Sequence, residues 1–186
     1  MKIGLISDTH IPSMGKEPPP QVIPAFEGVD LILHAGDVYI DSCIEWLERI
    51  APVKAATSGF ATAVEAAPRI SPPIVVDVEG HSIGIIHKLE FIALPDDIYP
   101  GSIGRRYPAH KSMTQELEDI FGKPVDIVVF GYTHEAMVET HRDVLFVNPG
   151  SPTMVGQIMK MGTVAILDLT LTGAEARIID LKTLTS

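Results

Sequence analysis

The stretch DIVVFGYTH, residues 126–134, runs from an apolar β-forming segment through Gly131 to His134. Its β-branched and aromatic content favours a short buried strand, and the glycine marks its end. A strand that ends by presenting a histidine raises the question of what it is presented to. The same pattern recurs at three other strand ends. KIGLIS (2–7) stops at Asp8-Thr9-His10, VDLILHAG (29–36) stops at Asp37, and SIGII (82–86) stops at His87. In an open α/β sheet, residues just beyond the carboxyl ends of strands converge on one crevice, so these carboxylates and imidazoles are expected to meet. A shared metal ion accounts for them together.

Further short apolar runs read as strands: PVKAA, IVVDVE, VLFVN, GTVAILDL and ARIIDL. Two segments read as helices. SCIEWLERI carries a capping box, Ser42 with Glu45, and SMTQELEDIF carries another, Ser112 with Gln115. Both place apolar residues along one helical stripe, which is what core packing requires. A weaker helix is expected over QVIPAFEG, where Pro24 disrupts all but the first turn. Strands alternating with helices early and grouped late predict a layered α/β architecture with mixed sheets. IPSMGKEPPP and LPDDIYPGSIGRRYPAH, rich in proline and glycine, read as surface loops, and the Arg105-Arg106 pair in the second is left outside the site.

The chain of 186 residues is 46% hydrophobic, enough for one substantial core, and residues 1–186 read as a single domain. A formal charge of -10 makes nucleic acid a poor default partner. Cys43 stands alone, which excludes an internal disulfide. There is no cationic leader with an apolar core, and no apolar run near the ~18 residues of a membrane span. A cytoplasmic protein with no membrane partner is expected.

A single aspartate after a strand is more often a cap or turn former, and a single histidine more often a hydrogen-bonded core residue than a ligand. His34, inside its strand before Ala35-Gly36-Asp37, is assigned a supporting role on that ground. His81, His110 and His141 are read as turn or loop residues without a role. Co-occurrence at matching strand ends sets the other five apart.

DTH at 8–10, HAGD at 34–37, a histidine at 87, GYTH at 131–134 in place of GHTH, and NPGSP at 148–152 together resemble the calcineurin-like metallophosphoesterases, specifically their small bacterial and archaeal phosphodiesterase branch. The resemblance spans nearly the whole chain. It implies a sandwich of two mixed β-sheets flanked by α-helices, divalent metals, and hydrolysis of phosphate esters by metal-activated water. It assigns Asp8, His10, Asp37 and His134 to a first metal site, which is complete. For a second site it supplies Asp37 and His87, but Phe60 follows Gly59 where the family has asparagine, and Tyr132 stands where GHTH has its first histidine.

Phenylalanine offers no donor atom and a neutral tyrosine, with a pKa of about 10, is a poor ligand. One metal is therefore expected, and two carboxylates with two imidazoles suit Mn, Fe, Zn, Co or Ni better than Mg or Ca. His87 is the candidate catalytic residue near the phosphate or leaving group, besides its place in the second metal set. Lys88, where the family has glycine, is a candidate for supplying part of the second cation's charge. Tyr132 is a candidate for walling off the second pocket or donating a hydrogen bond to an oxyanion. The expected substrate is a small phosphodiester or phosphomonoester; the alternative is a weak or inactive binding scaffold on the same fold. Homo-oligomerisation is left open.

Overall fold

Every apolar run read as a strand forms one, and the order in which they pair builds two sheets. The structure, a computed structural model, describes residues 1–56 and 72–185. Its strands are β1 (Lys2–Ile6), β2 (Leu31–His34), β3 (Val53–Ala55), β4 (Ile74–Val78), β5 (His81–Ile86), β6 (Ile127–Phe130), β7 (Met137–His141), β8 (Val144–Asn148), β9 (Met154–Val155), β10 (Ile158–Met159), β11 (Thr163–Thr170) and β12 (Gly173–Asp180). One five-stranded sheet has the order β12-β11-β1-β2-β3, the other β4-β5-β6-β8-β7, and β9-β10 is a separate small hairpin. Both large sheets are mixed: β1-β2 and β2-β3 are parallel while β11 is antiparallel to both its neighbours, and β5-β6 and β6-β8 are parallel between antiparallel edge strands.

The period-2 alternation of side chains puts one face of each sheet against the other. Ile3, Leu5 and Leu33 from the first sheet pack against Ile83, Ile85, Val129 and Val147 from the second. The opposite face of the first sheet carries Ile6, Ile32 and Ile166, covered by Phe26, Trp46 and Leu47. The opposite face of the second carries Val128, Phe130 and Phe146, covered by Met113, Leu117 and Phe121. The covering helices are α1 (Val22–Ala25), α2 (Asp41–Glu48), α3 (Ser102–Arg106) and α4 (Met113–Phe121). The expected sandwich of two mixed sheets flanked by helices is thus what forms. Among the described residues no helix is long and apolar enough to cross a membrane.

Helix ends depart from expectation in one case and agree in another. Ser112 caps α4, its hydroxyl accepting the Gln115 N–H at 3.2 Å, although the Gln115 side chain turns to Asp119 instead of closing the box. Ser42 caps nothing. The helix α2 starts two residues earlier, with Ile40 at the N-cap and Asp41 in the first turn, where its charge meets the positive end of the helix dipole. Pro24 is the third residue of the single-turn α1, a first-turn position whose N–H would have no intrahelical acceptor to lose. The segment expected to be a plain loop contains α3. Strand β7 and the β9-β10 hairpin were not anticipated, so His141 ends a strand, and His81 opens β5, where its ring pairs with Asp126.

Helix α4 reaches its sheet because β5 carries glycine at position 84: a Cβ there would lie 2.8 Å from the Phe121 ring. Gly84→Ala is expected to destabilise the fold by ~1–3 kcal/mol through overpacking, read as a lower urea midpoint with an unchanged slope.

Candidate metal centre

Strands β1 and β2 are parallel neighbours, as are β5 and β6, so each pair ends at one edge of its sheet. The four loops that leave these ends carry the chemistry, and main-chain bonds hold them together. Asp8 N–H donates to Gly36 O at 3.0 Å, His10 N–H to Asp37 O at 3.3 Å, and Gly131 N–H to His87 O at 2.9 Å. The chain turns sharply as it leaves β1, β2 and β6. Asp8, His10, Asp37, Tyr132 and His134 all have positive φ, between 51° and 75°. Left-handed backbone costs an L-residue about 1–2 kcal/mol, and Asp and His tolerate it better than most. Such strain persists where the surroundings impose it, and clusters at functional sites.

The result is convergence. Asp8, His10, Asp37 and His134 each offer a ligand atom, all within 4.8 Å of one another. His10 Nε2 and His134 Nε2 face each other at 3.1 Å, His134 Nε2 lies 3.4 Å from Asp8 Oδ1, and His10 Nδ1 lies 3.3 Å from Asp37 Oδ2. Nitrogens about 2.1 Å from one cation, at angles between octahedral and tetrahedral, stand about 3.0–3.4 Å apart. The two imidazoles already have that spacing. His134 Nδ1–H donates to Gly156 O at 2.8 Å, which fixes the tautomer and turns the Nε2 lone pair inward. The four residues fit a divalent cation.

The charged groups of the cluster act strongly on one another. Burial alone would raise the Asp8 pKa, but its hydrogen bonds to His134 and Ser7 and the nearby His87 hold it below the ordinary carboxylate value. Burial also acts downward on His134, where the bond to Asp8 and that carboxylate's charge outweigh it and leave the ring above its ordinary value. Burial pushes His10 down, only partly offset by Asp37 and Asp8.

His87 adjoins the four. Its Nδ1–H donates to Ala35 O at 3.0 Å and its Nε2 lies 3.9 Å from Asp8 Oδ1. Gly36 is required beneath it, since a Cβ there would lie 2.6 Å from His87 Cβ. His34, fully buried, accepts the Gly36 N–H on Nδ1 at 3.1 Å and faces Thr9 Oγ1 with Nε2 at 3.3 Å, so it supports the two ligand loops from below. Tyr132 serves the site with its main chain: its N–H donates to both Asp8 oxygens, at 3.2 and 3.1 Å. Its ring stands edge-on to His87 at 5.8 Å and beneath Lys88 Nζ at 4.5 Å. Lys88 does not supply a spare positive charge, because Glu90 at 2.7 Å and Asp97 at 3.4 Å take it up. Gly59 and Phe60 lie outside the described residues.

Several contributors are invisible to strand-end reasoning. Tyr39 OH is 2.8 Å from His10 Nδ1. Asn148 holds Gly131 O and Thr133 Oγ1 at 2.9 and 3.2 Å, and Ser151 Oγ donates to Asp8 O at 2.8 Å. These last two come from NPGSP. Arg106 is taken by Asp96 and Arg105 by Pro100 O, both within their own loop.

Comparison with known proteins agrees with the fold. Residues 1–171 match the model of the calcineurin-like phosphoesterase superfamily domain. A probable metallophosphoesterase of Methanothermobacter thermautotrophicus is 32% identical over 157 residues, covering 83% of this chain and 78% of its own length. Among solved structures, Vps29 of Entamoeba histolytica complexed with Zn2+ superposes with a TM-score of 0.61 at 19% identity, covering 97% of this chain and 99% of that one. An archaeal phosphodiesterase superposes with a TM-score of 0.59 at 23% identity, covering 96% and 100%.

Complete burial pushes His34 from 6.5 down to about 3, so it folds as a neutral ring. The unfolded chain takes up that proton first, so the stability His34 contributes is full above about 6.5 and is lost progressively as pH falls toward about 3. In metal-free protein, the drop in urea midpoint between about pH 7.5 and about pH 5 is expected to be smaller in His34→Gln than in wild type.

Proposed function

Since the chain belongs to the calcineurin-like phosphoesterase superfamily, we propose that it hydrolyses a phosphodiester or phosphomonoester of a small substrate using one divalent transition metal, held by Asp8, His10, Asp37 and His134. The observation that carries this is the convergence of four ligand atoms within 4.8 Å, two of them imidazole nitrogens at coordination spacing. Oxygen and nitrogen donors in equal number favour Mn, Fe, Zn, Co or Ni. A divalent ion there supplies Lewis acidity toward a phosphoryl oxygen and acidifies water toward neutral pH.

The chain's own groups do the rest. His87 has its Nδ1–H locked on Ala35 O, so its Nε2 can accept a proton from the attacking side or, once protonated, donate to the phosphate or leaving oxygen. Asp8 and Asp37 bring two negative charges that the cation balances. Tyr132 N–H pins the Asp8 carboxylate so that it need not reorient. The Tyr132 ring, covered by Lys88, occupies the side on which the family's GHTH histidine would serve a second metal.

That last feature favours a second reading, in which the fold is kept as a binding scaffold with little turnover. Metal analysis combined with a chromogenic phosphodiester and phosphomonoester assay separates the two. The phosphoesterase reading expects about one metal per chain, activity lost on chelation, metal and activity both lost in Asp8→Ala, and ~10²–10⁴-fold slower turnover in His87→Ala with its metal retained. Full metal occupancy without turnover of either ester class gives the scaffold reading, and a stoichiometry of two excludes the single-site assignment.

A further inference from the structure

Of the three imidazoles at this edge, two have their Nδ1 on main-chain carbonyls: His134 on Gly156 O at 2.8 Å and His87 on Ala35 O at 3.0 Å. His10 differs. Its Nδ1 has side-chain partners, Tyr39 OH at 2.8 Å and Asp37 Oδ2 at 3.3 Å. Its Nε2 faces the other ligands, 3.1 Å from His134 Nε2. A neutral ring that ligates through Nε2 carries its one proton on Nδ1, so that proton must go to the phenol or to the carboxylate.

The choice has consequences for Asp37. A bond from Nδ1–H to the carboxylate would be charge-assisted and strong, and would draw a ligand oxygen away from the cation. The phenol oxygen is closer and accepts the Nδ1–H hydrogen bond without using up a ligand. The Tyr39 ring also stands against the imidazole, with centroids 5.7 Å apart and planes at 63°, which resists rotation about the His10 side chain. Both partners come from the loop between β2 and α2, whose register is held by His10 N–H to Asp37 O at 3.3 Å.

We infer that Tyr39 is a positioning residue of the metal centre: its phenol oxygen accepts the hydrogen bond from His10 Nδ1–H and so leaves the Asp37 carboxylate free for the cation. This rests on the single-metal reading above. Outer partners of ligating histidines typically matter 10–100-fold in affinity, and Tyr39 lies in none of the motifs that mark the site in the sequence.

The test is Zn2+ affinity of the whole chain, measured by chelator competition, with the metal-free urea midpoint of each variant checked to show that the fold persists. Tyr39→Phe is expected to bind ~10–100-fold more weakly, Tyr39→Gln, which keeps an acceptor oxygen, to recover part of the loss, and Val38→Ala, in the same loop, to bind as wild type. Because Asp37 is diverted to His10 once the phenol is gone, Asp37→Asn should cost less in the Tyr39→Phe background than in wild type. Unchanged affinity in Tyr39→Phe, or losses that combine independently in the double variant, overturns the inference. A wild-type chain that takes up no Zn2+ overturns the metal reading and the inference together, whereas wild-type binding with an indifferent Tyr39 overturns the inference alone.

Discussion

Asp8, a carboxylate without exposure to water, sits where the two sheets meet, and its need for partners organises the whole edge. An unpaired buried charge costs several kcal/mol. Asp8 avoids that cost by drawing on both sheets: the Tyr132 N–H and the rings of His134 and His87 come from the second, and its own strand belongs to the first. Gly131 is what lets them close in, since a Cβ there would collide with the Asp8 carboxylate and Ser7. The strand that carries DIVVF therefore cannot satisfy Asp8 without also bringing His134 beside His10.

Holding that meeting point requires backbone that the chain would not adopt alone. Five residues at the edge sit in the left-handed region, each at a cost of about 1 kcal/mol or more. Three apolar layers supply the stability that offsets them, and buried side chains from far along the sequence hold the turns in place. Ser151 reaches back 143 residues to the Asp8 carbonyl, and Asn148 ties Gly131 to Thr133. A ligand set stiffened in this way needs little rearrangement to receive a cation, which is the general advantage of preorganised sites.

The two sides of the crevice differ in kind. On one, carboxylates and imidazoles stand at coordination distances. On the other, an aromatic ring stands edge-on to His87 under an ammonium that two carboxylates have already neutralised. The asymmetry follows from two positions, Tyr132 and Lys88, whose side chains pack on each other and offer no ligand on that side. A tyrosine in this place keeps the main-chain N–H that Asp8 requires while its side chain contributes packing and no ligand.

Much was legible in the linear chain because it depends on short-range pattern. Nine strands announce themselves by β-branched apolar runs, Ser112 by its spacing to Gln115, and the ligand candidates by falling just past strand ends. The cap assigned to Ser42 failed because Asp41 offers the helix dipole a better start, and β7 went unseen because an edge strand reading MVETH has a weak apolar signal. Tertiary structure alone decided where Lys88 spends its charge, that NPGSP braces the ligand loops, and that Tyr39 meets His10. The physical reason is range: strand and helix preferences act over a few residues and are written locally, whereas the orientation of a ligand is set by hydrogen bonds between segments that only the folded sheets bring together.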